Sequence, residues 1–340
     1  MAEIHRDAGR RRPDMALKLS GRSTIGNNLR RPESVITTAQ GDVFASHADG
    51  VVMHVAPDGR SRAIGRPPAG TDFVPNGLCP MPDGSMLVAN VGEDGGVWRL
   101  TADERVEPVL MDVDGVSLSA CNFINRDRQG RLWLSVSTRS VPRNDAYNTG
   151  IADGFIVLVE NGSARIAADG LAFANESRLS SDGGHLVVCE TAARRLARFD
   201  VDARGTLGKP TVLTEFPPCT FPDGCEFDSE GHLWVASVVS NRLIRVSPDG
   251  EQDILIEDNE PARLAEVETA LKAGAIDRSH FYHDSGRDYR ALTSVAFGGP
   301  DLRTVYLGSL ISSEIVTARS PVPGRRPEHW SFPPLLQQRS

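Results

Sequence analysis

Short runs of alternating apolar and polar residues, interrupted by Gly, Asp and Pro, fill most of this chain. "RLARFD" at 195–200 and "RLIRVS" at 242–247 are typical. Period-two alternation over so few residues predicts half-buried β-strands, and the interruptions predict the turns between them. One phrase recurs: a polar turn with Gly, a β-rich run, a second turn and an alternating strand. The copies begin at Gln40, Asp83, Gln129, Asp182, Glu230 and Asp301. Turn glycines at 41, 84, 130, 183 and 231 are separated by 43, 46, 53 and 48 residues. That spacing matches a four-stranded propeller blade. Six copies predict an all-β fold, a six-bladed β-propeller, whereas a β-sandwich has no reason to repeat a four-strand unit at a steady interval.

One stretch breaks the alternation. In "EPARLAEVETALKAGAI", residues 260–276, Leu264, Val267, Leu271 and Ala275 fall at helical spacing, with Gly274 near the end. This predicts a short amphipathic helix. The polar "DRSHFYHDSGRDYR" follows it. Together they form an insertion between blades 5 and 6, about residues 252–291, expected at one mouth of the central channel as a lid.

The 340 residues carry a net charge of −8. An acidic chain excludes general binding to a phosphate backbone, so no nucleic-acid partner is expected, and "GRRR" at 9–12 is a solvated run. No apolar stretch reaches the roughly 18 residues a membrane span needs, so no membrane partner is expected either. Cys79, Cys121, Cys189, Cys219 and Cys225 are odd in number and mostly set in apolar runs, which reads as buried reduced thiols. Arginines near the N-terminus precede no apolar core, so no secretory signal is read there. The expectation is a cytoplasmic protein with a flexible tail over 1–14 and a single domain over 15–340.

Eight residues before each turn glycine stand Glu33, Asn76, Asn122, Asn175 and Asp223. Asp, Glu and Asn together make up about one residue in six, so five such residues in five places exceed what composition supplies. Equivalent positions in a propeller lie at equal height around the axis, which predicts a ring of side-chain oxygens facing the channel. "PNG" at 75–77 and "PDG" at 222–224 also read as β-turn tripeptides. The sequences around Glu33, Asn122 and Asn175 lack the Gly of such a turn, so the recurrence outlives that explanation. Two carboxylates in a low-dielectric well repel unless a cation sits between them. Glu33, Asp223 and the Asn175 amide oxygen form a hard, all-oxygen set suited to one divalent cation: Ca²⁺ first, then Mg²⁺, Mn²⁺ or Zn²⁺.

These residues, with "PDGCEFDSEGHLWVAS" and "TSVAFGGPDLRTVYLGS", make the chain resemble the senescence-marker-protein/gluconolactonase (regucalcin-like) family of six-bladed propeller lactonases, from about Pro32 to the "SPVPGRRPEHW" tail. "RPESV" and "FANESRLSSDGGHLVVCET" add a strictosidine-synthase-like flavour. The resemblance implies that Glu33, Asn175 and Asp223 hold the metal and that Asn122 contacts substrate. Two residues before that Asn, sugar lactonases often carry an Arg; here Ala120 stands there, which weakens the case for a gluconolactone-like substrate.

The expected chemistry is hydrolysis of a small-molecule lactone. The cation polarises the carbonyl, Asp223 is the general base with Glu33 as the alternative, and Asn122 and Asn76 hold the substrate or its oxyanion. His283 and Arg287, with His280 and Asp284, are candidates to reach substrate from the insertion. Lyase or hydratase chemistry, a strictosidine-synthase-like condensation, and a non-catalytic Ca²⁺-binding or interaction propeller are the competing functions. No G-x-S-x-G elbow supports a nucleophilic serine.

Overall fold

A computed structural model describes residues 17–148, 150–284 and 286–336. The expected tail over 1–14 lies outside the described residues. Six four-stranded antiparallel sheets follow one another along the chain, each a blade of a propeller. Their inner strands are Val35–Thr37, Pro75–Pro80, Cys121–Arg126, Ala174–Leu179, Pro222–Phe227 and Leu292–Gly298.

Blade 6 is assembled from both ends of the chain. Its outermost strand is Ser20–Ile25, which pairs antiparallel with Ile315–Arg319 through Ser20↔Arg319, Ser23↔Thr317, Thr24↔Val316 and Ile25↔Ile315. This pairing closes the ring of blades.

Apolar faces of neighbouring sheets bury each other. Trp133 of blade 3 packs with Leu186, Val188 and Phe199 of blade 4, and Trp234 of blade 5 with Phe297 and Val305 of blade 6. Both indoles also need a hydrogen-bond acceptor once buried. Asp127 and Asp228, at equivalent turns, accept from Trp133 Nε1 and Trp234 Nε1, each at 3.0 Å. The tryptophans thereby fix the hairpins behind the inner strands.

The insertion folds as two helices, α1 (Pro261–Lys272) and α2 (Arg278–Phe281). Residues 252–257 do not belong to it: Gln252–Glu257 is the outer strand of blade 5. Val267 and Leu271 are buried as their spacing predicts. Ala275 is not; it lies beyond the end of α1 and is exposed, and Ile276 turns inward instead. The helices pack on Phe173, Phe221, Ala291 and Leu310, which flank the inner strands of blades 4, 5 and 6. The Phe281 ring lies tilted against Tyr147 and edge-on to Phe221, with ring centroids 4.7 and 5.5 Å away. The insertion is therefore a packed roof over half of one mouth.

At the opposite mouth the C-terminal segment crosses the channel. His329 Nε2 and Trp330 Nε1 both donate to Thr37 O, at 2.7 and 3.0 Å, and Arg325 Nη1 donates to Leu179 O at 2.6 Å. All five cysteines are buried and unpaired. Burial pushes the Cys79 and Cys121 thiols up to about 12, which leaves them unreactive near neutral pH. Among the described residues no helix is long and apolar enough to cross a membrane.

Candidate active site

The ring predicted from the repeat has a backbone cause. In blades 2 to 6 the ladder between the first and second strands slips by one register near its start: between Pro75 and Leu78, Cys121 and Phe123, Ala174 and Ser177, Pro222 and Cys225, and Leu292 and Val295. Asn76, Asn122, Asn175 and Asp223 each lie inside that slip, and Glu33 holds the matching place two residues before Val35. A bulge leaves its residue unpaired and re-aims the side chain. All five ring residues are buried. Blade 6 supplies a sixth member, Thr293.

The glycines of "PNG" and "PDG" are there for a different reason than turn chemistry. Neither Gly77 nor Gly224 has a positive φ; a Cβ on Gly77 would sit 2.7 Å from Phe123 Cα, and one on Gly224 2.5 Å from Thr293 O. At these two places the neighbouring inner strand comes too close for a side chain, whereas Phe123 and Glu176 hold the equivalent position in blades 3 and 4. Gly224→Ala is accordingly expected to cost about 1–3 kcal/mol, read by urea denaturation, because backbone rather than a movable side chain receives the new methyl. An unchanged midpoint would contradict this account.

Hydrogen bonds divide the ring into two arcs. In one, Arg31 lies against Glu33, its Nη2 donating to Asn76 Oδ1 at 2.8 Å, and Asn76 Nδ2 donates to Asn122 Oδ1 at 3.2 Å and Asn122 O at 3.0 Å. In the other, Asn175 Nδ2 donates to Asp223 Oδ1 and to Thr191 Oγ1 at 3.2 Å. Thr191 Oγ1 donates in turn to Pro222 O at 2.7 Å, and so braces the base of Asp223. Between the arcs, Thr293 Oγ1 and Ser294 Oγ donate to Glu33 O at 2.8 and 2.6 Å.

Burial, then the nearby Glu33 and Glu176 charges, holds the Asp223 carboxyl well above the usual carboxylate range. Glu176, the next residue after Asn175, is pushed up to about 7 by burial, with Arg178 pulling the other way. Arg178 bridges Glu176 and Glu226, each at 3.1 Å. The amide oxygen of Asn175 and Oδ2 of Asp223 accept no hydrogen bond among the described residues, and Glu33 Oε2 is buried without one, facing only the Arg31 guanidinium. Two oxygens that lack protons to accept, one of them on a carboxylate costly to ionise in this well, together with the Glu33 carboxylate, which an ion would share with Arg31, fit a hard divalent cation. Two further carboxylate-rich places do not. Asp228, Glu230 and His232 lie within 4.8 Å of one another, but Arg245 fills the group, its Nε 2.8 Å from Asp228 Oδ2 and its Nη2 2.6 Å from Glu230 Oε2. Glu176 and Glu226 are already paired with Arg178.

Over the half of the mouth the insertion leaves open lies a cavity of about 240 Å³, walled in part by Arg31, Val74, Ser119, Arg143, Tyr147 and Tyr282. Ala120 is buried in the core and does not line it. A second cavity, about 160 Å³, opens at the opposite mouth among Arg178, Glu226, Arg325 and His329. No ring residue lines either cavity; the first comes up to the ring through Arg31, which lies against Glu33.

Of the residues proposed in the insertion, His283 and Arg287 are exposed and line neither cavity. His280 Nδ1 accepts from Asp277 N at 3.1 Å and caps α2, while Asp284 pairs with Arg290 at 3.4 Å. Arg278 and Tyr282 are the insertion residues that do reach the ring-side cavity. Sequence reasoning missed them, along with Arg31 and Arg143.

Residues 75–260 match the family model described as SMP-30/Gluconolactonase/LRE-like region. The chain belongs to this family. The match takes in Asn76, Asn122, Asn175 and Asp223 and leaves Glu33 outside. As an SMP-30/gluconolactonase-like chain it is 28% identical over 217 residues to 6-deoxy-6-sulfogluconolactonase of Pseudomonas putida, a match covering 63% of this chain and 62% of that protein. It thus spans about three-fifths of the length of that curated relative. Two solved structures share the propeller. The gluconolactonase of Xanthomonas campestris superposes with a TM-score of 0.66 at 16% identity, covering 91% of this chain and 96% of its own. The calcium-binding protein regucalcin of Agrobacterium tumefaciens gives 0.62 at 18% identity, covering 92% and 99%. At these identities the structures establish the fold.

Proposed function

We propose that the well is the active site of a metal-dependent lactonase, with a small-molecule lactone as substrate. The observation that carries this reading is the convergence of Glu33, Asn175 and Asp223 on one buried height of the channel, with donor oxygens left unfilled. Membership of a family with relatives named as gluconolactonases, and likeness in fold to a calcium-binding regucalcin, point the same way. Glu33, Asn175 and Asp223 would hold the ion, Ca²⁺ being the first candidate. A divalent ion there supplies Lewis-acid polarisation of the lactone carbonyl and charge for the oxygen that becomes negative.

The chain's own residues divide the rest of the work. Asp223, through the oxygen that takes no bond from Asn175, accepts the proton of the attacking water. It can do so only when ionised, and its burial opposes that, so whatever positive charge enters the well sets its competence as a base. Asn122 keeps Nδ2 free and turns it towards the substrate or the developing oxyanion. Asn76 acts one step back as a positioning residue: both ends of its amide are engaged, and it orients Asn122. Thr191 and Thr293 brace the two carboxylate-bearing strands. The roof of α1 and α2 keeps bulk water from half the mouth.

The test is metal analysis of the purified protein, followed by assay of a panel of small lactones before and after EDTA. Stoichiometric divalent metal is expected, with turnover lost on chelation and restored by Ca²⁺, Mn²⁺, Mg²⁺ or Zn²⁺. A protein that binds none of these and opens no lactone would overturn the proposal.

A further inference from the structure

Among the described residues Arg143 has no acidic partner in contact. It stands in the wall of the ring-side cavity on the loop after the second strand of blade 3, and among the described residues no carboxylate lies within 4.0 Å of it. Its Nη1 is buried without a hydrogen bond. Phe173 lies under the guanidinium at 5.8 Å, and the neighbouring polar side chains are the phenols Tyr147 and Tyr282, not carboxylates. A guanidinium cannot shed its proton; Tyr147 and the more distant Glu33 offset the cost of its burial, and the fork itself is left without a contacting carboxylate among the described residues.

Arg31 lies in the same wall. Only 5% exposed, it faces Glu33 with Nη2, while its Nε is buried without a partner. Both guanidinium groups act on the ring: Glu33 is felt at Arg31 and at Arg143, and Arg143 is felt at Asp223. A divalent ion on Glu33 and Asp223 would cancel the two carboxylates. Arg31 and Arg143 would then leave the buried well with an excess of two positive charges, facing a cavity built for a small molecule. Arg278, stacked on Tyr282 with 4.4 Å between its guanidinium carbon and the ring centroid, adds a third cation at the rim. The acidic residues of that rim, Asp72 and Glu93, are exposed, and Asp72 Oδ2 is taken by Glu93 N at 2.6 Å.

We infer that Arg143, with Arg31 behind it, seats an anionic substituent of the substrate: a carboxylate, sulfonate or phosphate carried on the lactone away from the carbonyl that reacts. Planar guanidinium donors suit all three of these oxyanions. The inference rests on the lactonase reading for the word lactone, but the anion seat itself does not depend on turnover.

The experiment therefore measures binding first. With metal-loaded protein, isothermal titration compares gluconate with gluconate 6-phosphate, which differ by one anionic group. Wild type is expected to bind the phosphorylated acid at least tenfold more tightly; in Arg143→Gln that preference falls to about twofold or less, and Arg143→Lys restores part of it. Raising KCl shrinks the preference in wild type. Kinetics supply the second arm: in Arg143→Gln the ratio of kcat/KM for lactones bearing a remote anionic group to that for neutral lactones falls, mainly through KM, while any loss common to both, from the changed charge near Asp223, cancels in the ratio. Equal affinity for the two acids in wild type, or a preference that survives Arg143→Gln with circular dichroism unchanged, overturns the anion seat. A preference that depends on Arg143 in a protein that opens no lactone leaves the seat standing and removes only the lactonase reading.

Discussion

Asp223→Asn is expected to lower kcat on the best lactone by about 10²–10⁴-fold, the range that loss of a positioned general base produces. The substitution keeps the shape of the side chain, and the retained oxygen can still accept from Asn175 Nδ2. Because the buried carboxyl is held above its usual range, its replacement by a neutral amide relieves electrostatic cost in the metal-free protein. The variant should therefore fold, resist urea at least as well as wild type without metal, and gain less stability when metal is added. Glu33→Gln provides the contrast. Its carboxylate faces Arg31, and losing it strands a buried guanidinium, so both metal affinity and stability should fall. Should Asp223→Asn retain metal and full turnover, the base is another group.

The second large effect concerns the closure of the ring. A chain beginning after Gly26 lacks the outermost strand of blade 6, and with it the register from Ser20↔Arg319 to Ile25↔Ile315 and the packing of Leu17, Leu19 and Ile25. At about 1 kcal/mol for each ladder hydrogen bond, with the apolar contacts added, the loss is about 3–5 kcal/mol. That is a large part of the stability a single domain has. Strand Ile315–Arg319 would also become an open edge, a template for pairing with another molecule. The expected result is a lower urea midpoint together with concentration-dependent aggregation by light scattering. A monomeric truncated protein with a wild-type midpoint would show that the N-terminal strand is ornamental.

Much of the ring was readable because it obeys a count. Five turn glycines lie eight residues beyond five oxygen-bearing residues, and the backbone slip in the inner strands places those residues alike. The sixth escaped for a definite reason. Blade 6 carries Leu302, with φ 56°, at the turn position where blade 5 has Gly231, and its inner strand Leu292–Gly298 has seven residues where Pro222–Phe227 has six. Counting by eight from a glycine cannot find Thr293. Arg31 sat in "LRRPES" as one basic residue beside another, and Arg143 in an irregular loop. Neither belongs to the repeat, so periodicity has nothing to say about them; only the closing of the ring brings them over Glu33 and Asp223. The insertion misled in the opposite direction. Exposed, polar text at 278–290 made His283 and Arg287 look available, but the apolar side of α1 and α2 fixes the roof so that Arg278 and Tyr282 face the cavity.

The bulges that carry the ring have a consequence for how such a protein can change. A residue that sits in a ladder slip holds no place in the regular strand pairing, so its identity is nearly free of the demands of folding. Five such places and the matching one before Val35, read once around the axis as Glu, Asn, Asn, Asn, Asp and Thr, amount to a short alphabet written on an indifferent frame. Moving the acid from blade 5 to blade 4 would turn the carboxylate pair by one blade and leave the architecture as it was. New chemistry in this well is reachable by single letters.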